Sequence, residues 1–147
     1  MRQTVLAGPI LIVDDMDMSL MVMKLILNKS GYDNVITFDN PNDALAYVTT
    51  AAIPSLIITD YNMPEMNGIE FLDTISSFYP HLPTVIISGD SQSVLAKSNR
   101  YRVIEKGGRD FFENLVSLIR ADLKEHALPQ KSTPTNIKTV ESINKTR

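Results

Sequence analysis

Asp14 and Asp15 follow the apolar run Ile10 to Val13, and Asp60 closes the run that begins at Leu56. If both runs are parallel strands of one sheet, three carboxylates meet at its carboxyl edge, where open α/β sheets hold their ligands. Like charges crowded there raise one another's pKa unless a cation neutralises them. Magnesium, or manganese in its place, suits the set, because a hard ion takes oxygen ligands and shares its shell with water and phosphate. A carboxylate beside such an ion can attack a phosphoryl group and become an acyl phosphate. Asp60 is the expected nucleophile. Ser88 ends a further apolar run and Lys106 follows another, so a hydroxyl and an ammonium would reach the same edge to bind phosphoryl oxygens.

Placing five polar residues at one edge requires strands, and short β-branched runs do alternate with longer helical patterns. Strands are expected at Pro9 to Asp14, Val35 to Phe38, Ser55 to Asp60, Thr84 to Ser88 and Tyr101 to Ile104. Helices are expected at Met18 to Ser30, Asn42 to Ala51, Ile69 to Phe78, Ser91 to Lys97 and Arg109 to Glu125. The alternation predicts an α/β fold with a doubly wound parallel sheet. Gly31 suits a helix end, and Pro41 after Asn40 suits a helix start. On the first helix, Met18, Val22 and Ile26 make an inward stripe at helical spacing, leaving Leu20, Leu27 and Met23 as surplus on another side.

The 147 residues, 44% apolar and 21% charged, fit one domain with an ordinary core. Residues 9–126 are read as that domain, with a lead-in at 1–8 and a polar tail at 127–147, where prolines, hydroxyl residues and lysines replace the apolar periodicity. The formal charge is −3, and a net of +3 in residues 127–147 leaves −6 for the remainder, which disfavours nucleic acid as a partner. No run is long and uninterrupted enough for a membrane span. The absence of cysteine excludes disulfides and thiolate sites and fits a cytoplasmic location. His81 and His126 have no partner spacing for a metal or a triad and receive no role.

Taken in order, these residues resemble the receiver domain of two-component response regulators over roughly Ile10 to Glu125. The resemblance rests on Asp14-Asp15, on the segment Asp60-Tyr61-Asn62-Met63-Pro64-Glu65-Met66-Asn67-Gly68, on Ser88 and on Lys106. It implies a flavodoxin-like sheet of five strands in the order 2-1-3-4-5. It also implies that Asp60 is the phosphoacceptor, that Asp14, Asp15 and the backbone carbonyl of Asn62 hold magnesium, that Ser88 is the switch hydroxyl, and that Lys106 grips the phosphate. The donor would be a sensor histidine kinase or a histidine phosphotransfer protein, and the signal would pass to a downstream protein target. The chain would then be a signalling domain rather than an enzyme, with only slow self-catalysed phosphotransfer and dephosphorylation. Asn62 and Asp90, two past the phosphoacceptor and two past the switch hydroxyl, resemble the chemotaxis type and imply a short-lived phosphorylated state. Asp90 is equally suited to capping the helix that follows it.

The chain departs from the family pattern in three places. Val103 occupies the position of the usual aromatic switch, with Tyr101 two residues earlier on the same strand face. Gly107 and Gly108 follow the lysine in place of proline, so that loop is expected to be looser. The segment between Ser88 and Lys106 holds only 17 residues, which predicts a short or partly unwound fourth helix. Other readings are a phosphorylation-independent interaction module and a receiver fragment of a longer regulator. A haloacid dehalogenase phosphatase would need an acid where Asn62 stands. A flavin protein would need a phosphate-cradling loop where Asp14 to Asp17 would repel phosphate.

Overall fold

The computed structural model describes residues 6–123. The expected tail and the end of the last helix at Glu125 lie outside them, as does most of the lead-in. Five strands, β1 (Ile10–Val13), β2 (Val35–Phe38), β3 (Leu56–Asp60), β4 (Thr84–Ser88) and β5 (Arg102–Glu105), alternate with α1 (Asp17–Lys29), α2 (Pro41–Thr50), α3 (Gly68–Phe78), α4 (Ser91–Lys97) and α5 (Phe111–Leu123). The strands form one parallel sheet in the order β2-β1-β3-β4-β5, as expected. Most boundaries fall within one residue of the sequence reading. The last helix starts two residues later than expected, at Phe111.

Local chemistry accounts for the starts and stops. Asn40 caps α2 by accepting from the Asp43 amide at 2.9 Å, with Pro41 pre-set in the first turn. Asn67 and Glu70 form a reciprocal capping box on α3. α1 is followed after its cap Ser30 by Gly31, whose φ of 102° lets the chain turn back so that the Tyr32 amide reaches the Leu27 carbonyl at 3.0 Å.

β1 is buried along its whole length, as is β3, so neither alternates apolar with polar residues. One layer of core packs Ile10, Ile12, Ile58 and Ile87 against Leu20, Met23 and Leu27 of α1 and Leu115 and Ile119 of α5. The other packs Leu11, Val13, Ile57 and Ile86 against α2, Phe71, Leu72 and Ile75 of α3, and Val94 of α4. The inward stripe of α1 is therefore Leu20, Met23 and Leu27, and the expected stripe of Met18, Val22 and Ile26 is corrected. Met18 is exposed, while Val22 and Ile26 are only partly covered. Both stripes keep helical spacing, so periodicity alone leaves the phase of a helix with two apolar sides undetermined. The β1–α1 turn, in which Asp14 Oδ1 accepts from the Met16 amide at 3.0 Å, fixes that phase.

α4 has seven residues, and the expectation of a short fourth helix holds.

Candidate phosphoryl and metal site at the carboxyl edge of the sheet

Register brings the tips of the strands level. Val13 pairs with Thr59, Asp60 with Ile87, and Ser88 with Glu105. The next residue on each strand therefore emerges at one edge. Asp14, Asp15 and Asp60 each offer a carboxylate oxygen, and these oxygens all lie within 4.8 Å of one another. Asp14 is fully buried, Asp60 nearly so at 8% exposure, and Asp15 faces solvent. Lys106 reaches across from the end of β5, its Nζ 2.9 Å from Asp14 Oδ2 and 3.3 Å from Asp60 Oδ1.

The electrostatics follow from this crowding. Burial and the neighbouring Asp14 charge push the Asp60 carboxyl above the usual carboxylate value, with Lys106 partly offsetting them. Burial alone would make Lys106 easier to deprotonate, but its hydrogen bond to Asp14 and the charges of Asp14 and Asp60 outweigh that, so the ammonium is held on. Three carboxylates against one ammonium leave the ionised cluster two charges short of neutrality, the charge a divalent cation would supply. Three hard oxygen donors, one of them open to solvent, are the ligand chemistry that a magnesium-sized ion takes.

Ser88 is buried at the end of β4 and tied to the lysine strand, since the Lys106 amide donates to the Ser88 carbonyl at 2.7 Å. Its Oγ accepts from the Asp90 amide at 3.0 Å. The Asp90 carboxylate accepts from the Ser93 amide at 3.1 Å and caps α4, which favours the capping role. Asn62 lies in the exposed loop just past Asp60. Val103 packs half-buried in the α4 side of the core, and Tyr101 joins the same cluster. The Tyr101 hydroxyl is bonded to Asp73 of α3, which also holds Arg100 at 2.8 Å.

The loop after Asp60 is built tightly. Gly68 opens α3 so close to β3 that a Cβ there would stand 2.7 Å from the Asp60 carbonyl oxygen. Close approach, rather than unusual backbone freedom, is what requires this glycine. Glu65 is the one non-glycine residue with positive φ among those described, at 75°, and the Met66 amide bonds back to the Pro64 carbonyl at 2.8 Å across it. That γ-turn is a conformation L-residues adopt at a cost. The Asn42 amide braces it from α2 by donating to Glu65 Oε1 at 2.7 Å.

Sequence reasoning missed two residues beside the site. Glu105 and Ser91 meet across the β5–α4 boundary, with the Ser91 amide and hydroxyl both donating to Glu105 Oε1 at 3.1 and 2.5 Å. An acid beside a lysine at a strand end reads as a solvated charge. Only its two-residue offset from Val103 could have placed it toward α4.

The chain is similar to known proteins. The family described as the response regulator receiver domain matches residues 10–115. The two-component response regulator ORR5 of Oryza sativa subsp. japonica is 38% identical over 107 residues, covering 71% of this chain and 76% of that protein. ARR21 of Arabidopsis thaliana is 35% identical over 91 residues, which are 61% of this chain but only 15% of that longer protein. Among solved structures, the Vibrio cholerae chemotaxis protein CheY4 superposes with a TM-score of 0.67 at 25% identity, covering 79% of this chain and 98% of that one. With the family matched over most of its length and the strand order and edge residues in place, this chain belongs to the response regulator receiver domain family.

Proposed function

We propose that the chain accepts a phosphoryl group from a phosphohistidine onto Asp60 and signals through protein contact. The observation that carries this reading is the convergence of Asp14, Asp15 and Asp60 within 4.8 Å of one another, with the Lys106 ammonium against two of them. Asp14, Asp15, Asp60 and the Asn62 backbone carbonyl would hold magnesium, which supplies charge neutralisation for the transferring phosphoryl oxygens when bound. An Asp60 carboxylate oxygen forms the new P–O bond as the P–N bond to the donor imidazole breaks. The imidazole keeps the electron pair and takes up a proton. Lys106 and the Ser88 hydroxyl then donate to the phosphoryl oxygens. Asn62 tunes the later attack of water, and Asp90 contributes through the α4 cap that engages its carboxylate.

Docking of the donor falls to α1. Met18, Met21 and Leu25 are exposed and cluster opposite the buried Leu20, Met23 and Leu27. A groove of about 330 Å³ beside them is lined by Met16, Val22, Phe111, Phe112 and Lys106. Because Lys106 bounds both the groove and the carboxylates, a phosphohistidine-bearing partner seated there has its reactive group next to Asp60.

The test is intact-mass measurement after incubation with acetyl phosphate and magnesium. The native chain gains one phosphoryl mass. Asp60→Asn and a magnesium-free control do not. A native chain that stays unmodified under these conditions overturns the reading and leaves a receiver that acts by binding alone.

A further inference from the structure

Residues along β5 alternate faces, so Tyr101, Val103 and Glu105 point to one side and Ile104 to the other. The packing agrees, because Tyr101 and Val103 join the core layer that contains Val94 of α4, and Ile104 joins the opposite layer. Position 103 is thus a short, stiff valine flanked on its own face by two polar ties. Tyr101 is tied to Asp73 of α3, and Glu105 to Ser91 at the first turn of α4.

The second tie closes a ring around the phosphoryl-binding hydroxyl. At one end the Lys106 amide donates to the Ser88 carbonyl, and at the other Ser91 donates twice to Glu105, the residue before Lys106. Between them the Asp90 amide donates to Ser88 Oγ. The turn from Ser88 to Ser91 is therefore fastened at both ends to the strand that carries the lysine. It needs fastening. No atom lies within 4 Å of where a β-carbon on Gly89 would stand, so no packing holds the turn there, and a helix of seven residues is too short to hold its own first turn.

We infer that Glu105 is a positioning residue for phosphoryl binding at Asp60. Its side-chain oxygen holds the β4–α4 turn so that the Ser88 hydroxyl and the Lys106 ammonium keep the spacing one phosphoryl group requires. Glu105 acts as a hydrogen-bond acceptor, so its negative charge is dispensable. The inference rests on the phosphoacceptor reading of Asp60.

The experiment compares the full native chain with Glu105→Ala, Glu105→Gln and Ser91→Ala. Phosphorylation rates are taken from acetyl phosphate by intact mass, and magnesium affinity from thermal shift against metal concentration. Loss of the acceptor slows phosphorylation about five-fold in Glu105→Ala, the rate equivalent of the two exposed hydrogen bonds it accepts, each at the weak end of the usual range. Glu105→Gln keeps an oxygen acceptor and restores the native rate. Magnesium affinity stays at the native value in all variants, because the acids on β1 and β3 are untouched. Ser91→Ala removes only the hydroxyl donor and slows the reaction about two-fold, which provides the answer should Glu105→Ala not fold. A native rate in Glu105→Ala, or in Ser91→Ala if it stands alone, overturns the inference. So does a Glu105→Gln as slow as Glu105→Ala, or a fall in magnesium affinity that tracks the rate. Failure of the native chain itself to take up phosphate removes the phosphoacceptor reading instead, and is told apart by the native control.

Discussion

Asp60 opposes the fold it serves. Its carboxyl is pushed up by burial and by Asp14, so the folded chain binds that proton more tightly than the unfolded chain. Ionisation therefore costs stability above the folded-state pKa, and the cost vanishes as pH falls below the ordinary value of 3.8. Asp60→Asn should accordingly stabilise the metal-free protein at neutral pH by on the order of 1 kcal/mol, or about 4 °C in Tm. The gain should fade on acidification toward pH 3.8. Saturating magnesium should reverse the order, since only the native chain keeps all three acids, and thermal melts with and without the metal read both effects. The acids themselves were legible in the sequence because they stand at the ends of the apolar runs Ile10 to Val13 and Leu56 to Ile58, which fix two strands and hence their tips. Glu105 was not, because its partner lies 14 residues away in a turn whose path depends on the packing of α4. The reason for a glycine at position 68, the Asp60 carbonyl oxygen occupying the space a β-carbon would need, appears only in three dimensions.

Helices carry the choices that periodicity leaves open. α1 is apolar on two sides, and the sequence pattern selected the wrong one as inward because Met18, Val22 and Ile26 repeat as regularly as Leu20, Met23 and Leu27. Leu20 is thus a core residue, and a charge placed there would test stability rather than docking. The informative substitution is Met21→Glu, at a position 64% exposed. It should change stability by no more than about 0.5 kcal/mol and leave phosphorylation by acetyl phosphate unaltered. It should slow transfer from the cognate phosphohistidine protein about ten-fold, the cost of burying a charge in an apolar contact of roughly 1.4 kcal/mol. Equal rates from both donors would place the partner elsewhere. The strands, by contrast, were read almost to the residue, since runs buried on both faces leave no phase to mistake.

At the scale of the whole molecule, the face made by α4, β5 and α5 is poorly equipped to join two copies. α4 has seven residues and offers Leu95 as its one large exposed apolar side chain, and Arg102 of β5 is already engaged by Asp122 and by the Thr84 carbonyl. The protein loaded with beryllofluoride and magnesium should therefore scatter as a particle of unchanged mass, with no dimer built through that face. Among the described residues no helix is long and apolar enough to cross a membrane. The strand order also has a consequence for how the site can be used. The three acids follow or end β1 and β3, interior strands buried on both faces, with Asp15 alone of the three open to solvent, whereas Ser88 ends β4 and Lys106 follows β5 at the flank of the sheet. The spacing of the acids is thereby set by the interior strands, while that of the hydroxyl and the ammonium is set by the outer pair and its bonded turn, so a change confined to the flank of the sheet would shift one set and leave the other in place.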